Sequence, residues 1–513
     1  MEKINGRKLT LIFIFVLILL VIALLVGKFT YSYLGPTLSD DLKNQGEITA
    51  SGDTLIFTKG NNLSLSATTD NFATGGTNLT STTNPKVRLI ASTKTNSASA
   101  TYYVGVVINN NTYTYTTSDN TAEVILTIKD PSGNVISSGV DGLTYVTSGG
   151  VSGFDVTGKT GLFNIKTDYS ITTTSSSTGT THTWTFTLTF VNLSTDQSEN
   201  ENASMNIDIY LQKTKIPTTV ADVCTNGGNL ADCIVTLNDK SLSNLSNIYY
   251  HDNNLVNGAK DNSYRYAGTN PNNFVCFGSD ASTCPTDNLY RIIGVIDGKV
   301  KLIKYDYANS NLLGTNGAYN NDKTPGSTYK GNLTSINTYY WNNATNTNIW
   351  SESLLNKTNL NTNVINNIGK NWANKIATTT WKVGGNTVAN IEGVIPSIAY
   401  TNEITNLDTT TYSAKIGLMY VSDYGFAADQ SAWTITMDSY GNTTNINWMY
   451  IGDYEWTISR NSDSPSGVFC VNGGEVMYLG HIFSSAVRPS FNLESTVAYV
   501  SGSGTQSDPI RIN

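Results

Sequence analysis

The stretch Trp184 to Phe190, WTFTLTF, places an aromatic or aliphatic side chain at every second position with threonine between. Successive side chains of an extended chain point to opposite faces, so this spacing predicts a strand with one apolar face and one hydroxyl face. Threonine and aromatic residues both suit a pleated, half-buried surface. The same parity recurs at Tyr102, Val104, Val106 and Ile108, at Val124, Leu126 and Ile128, and at Met205, Ile207, Ile209 and Leu211. Turn signals separate these runs: Asp130-Pro131-Ser132-Gly133, Gly149-Gly150 and the Ser/Thr-rich stretch 172–181. Residues 36–216 therefore read as an all-β antiparallel sandwich whose aromatics belong to its core.

Upstream lies a different kind of segment. Leu9 to Gly27 is an apolar run entered through Lys3, Arg7 and Lys8. Its 19 residues match the length that spans a bilayer core of about 30 Å, and exceed the roughly 7–15 residues of a cleavable signal core. The reading is an N-terminal transmembrane helix acting as a signal anchor, with residues 1–8 as a cytoplasmic tail and everything beyond Lys28 outside. Cleavage after Ser32, behind Thr30, is the competing expectation and would release the protein. No cysteine precedes Cys224, so no acylated lipoprotein site exists there, and Arg7 and Lys8 after Gly6 do not fit a prepilin.

Composition supports an exported surface. Only 14% of residues are charged, against about 25% in ordinary soluble proteins. Asn, Thr, Ser, Gly and Tyr take their place, and their polar groups are expected to hydrogen-bond outward. With 31 basic and 39 acidic residues and a net charge of −8, no basic patch suited to nucleic acid is visible.

A second domain begins near Pro217. Residues 217–252 read as a disulfide-containing linker and 253–513 as a head domain mixing strand and helix. Tyr290 to Ile296 and Lys299 to Lys304 flank Asp297-Gly298, a strong hairpin signal. Leu360, Val364, Ile368, Trp372 and Ile376 recur at helical spacing, and Ile416–Val421, 454–460, 467–471, 475–479 and 486–493 read as strands. Cys224 with Cys233 and Cys276 with Cys284 are spaced for local disulfides. Neither spacing is that of a zinc site and the three histidines are scattered, so no metal is expected. Cys470, left over in GVFCVNGG, reads as a small buried hydrophobe.

Seven segments, NSYRYAG (262–268), NNFVCFGSD (272–280), DNLYRIIGV (287–295), ATTTWKVGG (377–385), KIGLMYVSDYG (415–425), YEWTISR (454–460) and AVRPSFNL (486–493), resemble a family of bacterial surface proteins of unassigned function. The resemblance covers roughly residues 220–513 and implies a displayed, non-enzymatic protein. The final third is also similar to C-type-lectin-like and formylglycine-generating-enzyme-like domains, which implies a compact α+β head. Calcium-dependent lectins use EPN, QPD or WND, and none occurs between Trp433 and Ser490; the redox cysteine pair of the enzymes is represented by Cys470 alone. No cofactor is expected. An isopeptide cross-link, as in some bacterial surface sandwiches, would use Lys86 or Lys129, although nothing in the spacing selects it.

Tyr450, Tyr478, His481 and Phe483 are the expected ligand-binding residues, because aromatic rings with polar tips stack on sugars and dock proteins. Arg460 and Arg488 read as structural hydrogen-bond donors, and Asp423 and Asp429 as unrelated acids rather than a glycosidase pair. The functional expectation is an adhesin-like surface protein that binds a glycan or protein ligand. The alternative is a structural component of an envelope or fibre, assembled by self-association of the sandwich.

Overall fold

All four alternating runs lie in antiparallel sheets. In the computed structural model the described residues are 45–513, apart from 51, 73–74, 243–244, 321–324, 330–331, 346, 406–409 and 453. The expected tail, anchor and Ser32 cleavage point lie outside them. Among the described residues no helix is long and apolar enough to cross a membrane. The chain divides into two units at Lys215 and Ile216.

The first unit is an antiparallel β-sandwich. One sheet runs in the order Gly161–Thr173, Ala98–Asn111, Ser204–Gln212, Leu63–Ser66. Opposite it are two sheets of shorter strands, a four-stranded one ordered Gln45–Ala50, Asp53–Thr58, Lys86–Ile90, Thr180–Thr183 and a five-stranded one ordered Leu79–Thr83, Thr185–Phe190, Val124–Lys129, Val151–Asp155, Thr144–Ser148. Trp184 stands at the junction of the two, where its backbone N–H donates to the Pro85 carbonyl at 3.1 Å. The apolar parity of every run converges on one cluster: Val104, Val106, Leu126, Trp184, Phe186, Leu188, Ile207 and Ile209 are among its members. Burying each such side chain contributes about 1.5–3 kcal/mol. Lys86 and Lys129 are both exposed, which removes the buried setting that an isopeptide cross-link requires.

The second unit is built on a seven-stranded antiparallel sheet ordered Ile248–Tyr250, Tyr264–Tyr266, Leu289–Ile296, Lys299–Lys304, Ser490–Asn492, Ile416–Gly417, with Phe274–Cys276 also on the Leu289–Ile296 strand. The expected hairpin is present: Ile296 pairs Lys299, and Asp297 and Gly298 both take positive φ, 50° and 71°, as a two-residue turn of this type demands. A smaller sheet runs Gly385–Asn386, Glu455–Asn461, Gly467–Asn472, Glu475–Gly480. Its two faces pack on different clusters, Val468 and Cys470 on one, Phe469, Val471 and Val476 on the other.

Three expectations are corrected here. Residues 217–252 are no linker: Val220, Leu230, Ile234, Leu237 and Ile248 are core residues of the second unit, and Leu230–Lys240 is a helix capped by the Asn229 side chain. The stripe Leu360 to Ile376 is not one helix. A π-helix, Leu355–Val364, is followed by the short turn Ile365–Asn367, and Gly369 at φ 82° ends it before Lys370–Ala373. Polar side chains accompany the irregularity: Asn361 Nδ2 donates to the Asn356 carbonyl at 3.1 Å and the Thr362 hydroxyl to the Lys357 carbonyl at 2.8 Å, in competition with regular helix bonding, while Asn361 also clasps the Ile416 backbone (Nδ2 to O 2.9 Å, N to Oδ1 3.0 Å). Finally, Val421 opens a helix, Val421–Phe426, rather than ending a strand.

Both expected disulfides form, Cys224 to Cys233 and Cys276 to Cys284. The first joins the segment before the Leu230–Lys240 helix to its first turn. The second closes a loop held to the C-terminal strand by Arg511, which donates to the Ser282 carbonyl at 2.9 Å. Cys470 is buried, and burial pushes its thiol up to about 12, so it stays protonated and unreactive at neutral pH.

Candidate functional site

The Glu475–Gly480 strand is an edge of its sheet. Along one face, Val471 pairs Val476, Phe469 pairs Tyr478 and Gly467 pairs Gly480. The first pair is core and the last has no side chains, so the Tyr478 ring passes from the core edge over bare backbone. A Cβ on Gly467 would stand 3.4 Å from the Tyr478 ring, and one on Gly480 would stand 3.1 Å from that of Phe483. The turn is closed by the Phe483 N–H donating to the Gly480 carbonyl at 2.9 Å. Tyr478, Ile482 and Phe483 are 48%, 59% and 57% exposed. Three large apolar side chains within six residues are thus left in water, and such a group suits a contact face; the unit's other exposed large apolar residues, Tyr250, Val256, Ile349, Ile398 and Tyr454, are spread along the chain.

The four expected binding residues therefore separate. Tyr478 and Phe483 lie together on this face. Tyr450 is half-buried against a core cluster. His481 is a correction: it is fully buried, its Nδ1 donates to the Asn342 carbonyl at 2.5 Å, and its own carbonyl accepts from the N–H groups of Trp341 and Asn342. Its neighbours in the chain face water, while a tertiary clasp that no local pattern announces draws its ring inward. Trp456 is core, with Nε1 donating to the Tyr339 carbonyl at 2.8 Å.

Arg488 is buried, donating to Glu455 at 2.7 Å and to the Met449 carbonyl at 2.7 Å. Arg460 donates to the Val383 carbonyl at 3.3 Å. Asp429 caps a short turn through Ser431. Asp423 is buried and bonds two cations, Arg265 at 3.2 Å and Lys301 at 2.5 Å. It is thus committed to a charge cluster and unlike a free catalytic acid.

That cluster was not foreseen. Arg265 also pairs Asp261 at 2.8 Å and lies 5.3 Å from the ring centres of Tyr400 and Phe426. Burial works against the charge of Asp261, and Arg265 overcomes it, holding the carboxyl below its usual range. Glu403 sits behind, accepting from the backbone N–H groups of Val421 and Ser422 and from the Ser459 hydroxyl; burial raises its pKa. A signal was available: isolated charges inside otherwise apolar segments, as in YRY, VKLI and YVSDYGF, must find buried partners. A cavity of about 530 Å³ is lined by the Cys276–Cys284 loop and by Arg511 and its neighbours. Among the described residues no group of three or more His, Cys, Asp or Glu side chains could hold a metal ion.

The chain matches no protein-family model, no curated protein and no solved structure.

Proposed function

We propose that the protein is a surface-displayed binding protein of adhesin type, held in the bacterial cell membrane by Leu9 to Gly27, with the sandwich as a stalk and the second unit as a lectin-like head. The observation that carries this reading is the exposed shelf of Tyr478, Ile482 and Phe483. Such patches mark interaction surfaces more often than chance exposure, and tyrosine and phenylalanine supply rigid contact area at low entropic cost. The apolar, cation-flanked N-terminal run and two disulfides are consistent with an oxidising, extracellular address.

The head docks a glycan or protein ligand through the shelf, without calcium. The test is binding of the full chain, solubilised in detergent, to a panel of glycans and matrix proteins with and without calcium. Saturable, calcium-independent binding that Tyr478→Ala and Phe483→Ala weaken, with unchanged circular dichroism, supports the reading. A panel without saturable binding, together with concentration-dependent self-association of the chain, supports the structural-component alternative.

A further inference from the structure

A cavity of about 360 Å³ opens beside the Asp297-Gly298 hairpin, within the roughly 300–1,000 Å³ usual for small-ligand sites. It shares no residue with the Tyr478 shelf. Its walls include Trp381, Tyr400 and Tyr420, and its inner part is Lys301 with Asp423 and Arg265. The walls are fixed: Trp381 Nε1 donates to the Ala414 carbonyl at 3.2 Å, and the Tyr420 hydroxyl accepts from the Lys382 backbone N–H at 2.8 Å.

Three features bear on what fits. The first is charge. Arg265, Lys299, Lys301 and Lys382 line the cavity against Asp297 and Asp423, a local positive excess in a chain of net charge −8. Two further carboxylates lie near and do not line it: Asp261, paired with Arg265 at 2.8 Å, and Glu403, turned toward Val421, Ser422 and Ser459, so the excess rests on Lys299, Lys301 and Lys382.

The second is donor capacity. The Asp423 carboxylate is filled by Arg265, Lys301 and the Tyr420 backbone N–H. Lys301 has three ammonium N–H groups and one carboxylate partner, while its Nζ lies 4.7 Å from the Tyr420 ring centre and 5.5 Å from that of Trp381. Burial lowers the Lys301 pKa, and Asp423 opposes the shift, so a further anion stabilises the charged form.

The third is the neutral lining. Thr378, Thr379, Thr380 and Asn492 add hydroxyl and amide groups; Asn492 Nδ2 donates to the Thr379 hydroxyl at 3.0 Å, and its Oδ1 is buried with no hydrogen-bond partner among the described residues.

From these we infer that the cavity is a second binding site, for a small carboxylated, polyhydroxylated ligand of the acidic-sugar class. The carboxylate meets Lys301 and the lysines at the rim, the sugar hydroxyls meet the threonines and Asn492, and the ring lies against the aromatic wall. A neutral sugar leaves the cations without a new counter-charge, and a simple carboxylate leaves the hydroxyl-rich wall unused.

The test is saturation-transfer NMR and calorimetry on the full chain with glucuronate, galacturonate and N-acetylneuraminate, against glucose, galactose and acetate. At least one acidic sugar binds saturably, and neutral sugars and acetate do not. Lys301→Met abolishes the binding. Because that variant removes a partner of a buried carboxylate and can unfold, Lys299→Gln/Lys382→Gln, at the half-buried rim, is the companion and weakens binding by roughly tenfold. Tyr478→Ala/Phe483→Ala leaves acidic-sugar binding unchanged, so this site and the shelf fail or succeed separately. Absence of saturable acidic-sugar binding by the unaltered chain, equal binding of neutral sugars, or indifference to the rim variant overturns the inference.

Discussion

The two units solve the same problem with different materials. The sandwich closes around aliphatic and aromatic side chains supplied at period two, and its buried carboxylate, Glu123, is met by neutral groups alone: the Thr116 N–H and hydroxyl, Gln197 and Asn200. The head buries cations and amides. Arg265, Arg291, Lys301, Lys304 and Arg488 are buried there, and the sandwich has no buried cation among its described residues. Asn273, Asn320, Asn342, Asn348, Asn356, Asn359, Asn386, Asn447 and Asn461 are buried in the head, against Asn71 and Asn200 in the sandwich. Asn348 shows why: its amide reaches the carbonyls of Asn461, Ser464 and Gly467 at 2.7, 2.9 and 2.6 Å. Loops without a sheet partner must satisfy their carbonyls somehow, and a buried carboxamide does it at little charge cost. The asparagine-rich composition is thus partly an interior, and only partly the outward-facing surface that composition alone predicts.

The contrast makes the head the more fragile unit toward polar substitution. Asp423→Ala leaves Arg265 and Lys301 buried without their shared carboxylate and lowers head stability by about 3–5 kcal/mol. Seven of the eight tryptophans belong to the second unit, so fluorescence-monitored unfolding of a Trp184→Phe background reports the head, and a loss under 1 kcal/mol breaks the comparison. In the sandwich the corresponding weakness is apolar. Leu188→Ala costs about 2–5 kcal/mol, seen by calorimetry as a shift of one transition with the head's left in place.

Asn348→Leu, which fills the space but deserts three carbonyls, costs the head about 1–3 kcal/mol; a neutral outcome removes the amide-clasp argument. Acid sharpens the contrast further. His251 is buried with Nδ1 accepting the Ala259 N–H at 2.9 Å, and burial, with Arg265 nearby, holds its pKa down at about 3. The unfolded chain protonates near pH 6.5 while the native head does not, so stability is complete above that pH and falls below it. Between pH 7 and pH 5 the wild-type head loses up to about 2 kcal/mol more than His251→Gln. Glu403 and Glu455, whose carboxyls burial raises, act in the opposite direction and are common to both proteins, so the difference isolates the histidine. The smallest effect belongs to the shelf: Tyr478→Ala and Phe483→Ala change stability by no more than about 0.5 kcal/mol, and a larger loss would falsify their assignment as contact residues.

The sandwich was legible because every run carried its parity on the surface of the sequence, and so was the Asp297-Gly298 turn, whose chemistry is local. The head was less so. The helical spacing of Leu360 to Ile376 is real as burial, with Leu360, Val364, Trp372 and Ile376 all in the core, but it does not report the polar side-chain bonds that accompany the irregular backbone. Tyr478 and Phe483 were readable as aromatics at the end of the expected 475–479 strand and just beyond it. His481 was not, since its partner carbonyl, Asn342, is 139 residues away. The Asp423 cluster joins residues 261, 265, 301 and 423, a juxtaposition that only the sheet order creates.

The central claim is that the shelf on the head is what the displayed protein uses for contact. The most direct measurement is adhesion of cells displaying the full chain to glycan- and matrix-coated surfaces, comparing wild type with Tyr478→Ser/Phe483→Ser at equal surface density. Adhesion lost in the double variant while the protein remains folded and displayed is the predicted result. Undiminished adhesion of that variant, or adhesion no greater than that of cells lacking the protein, contradicts it.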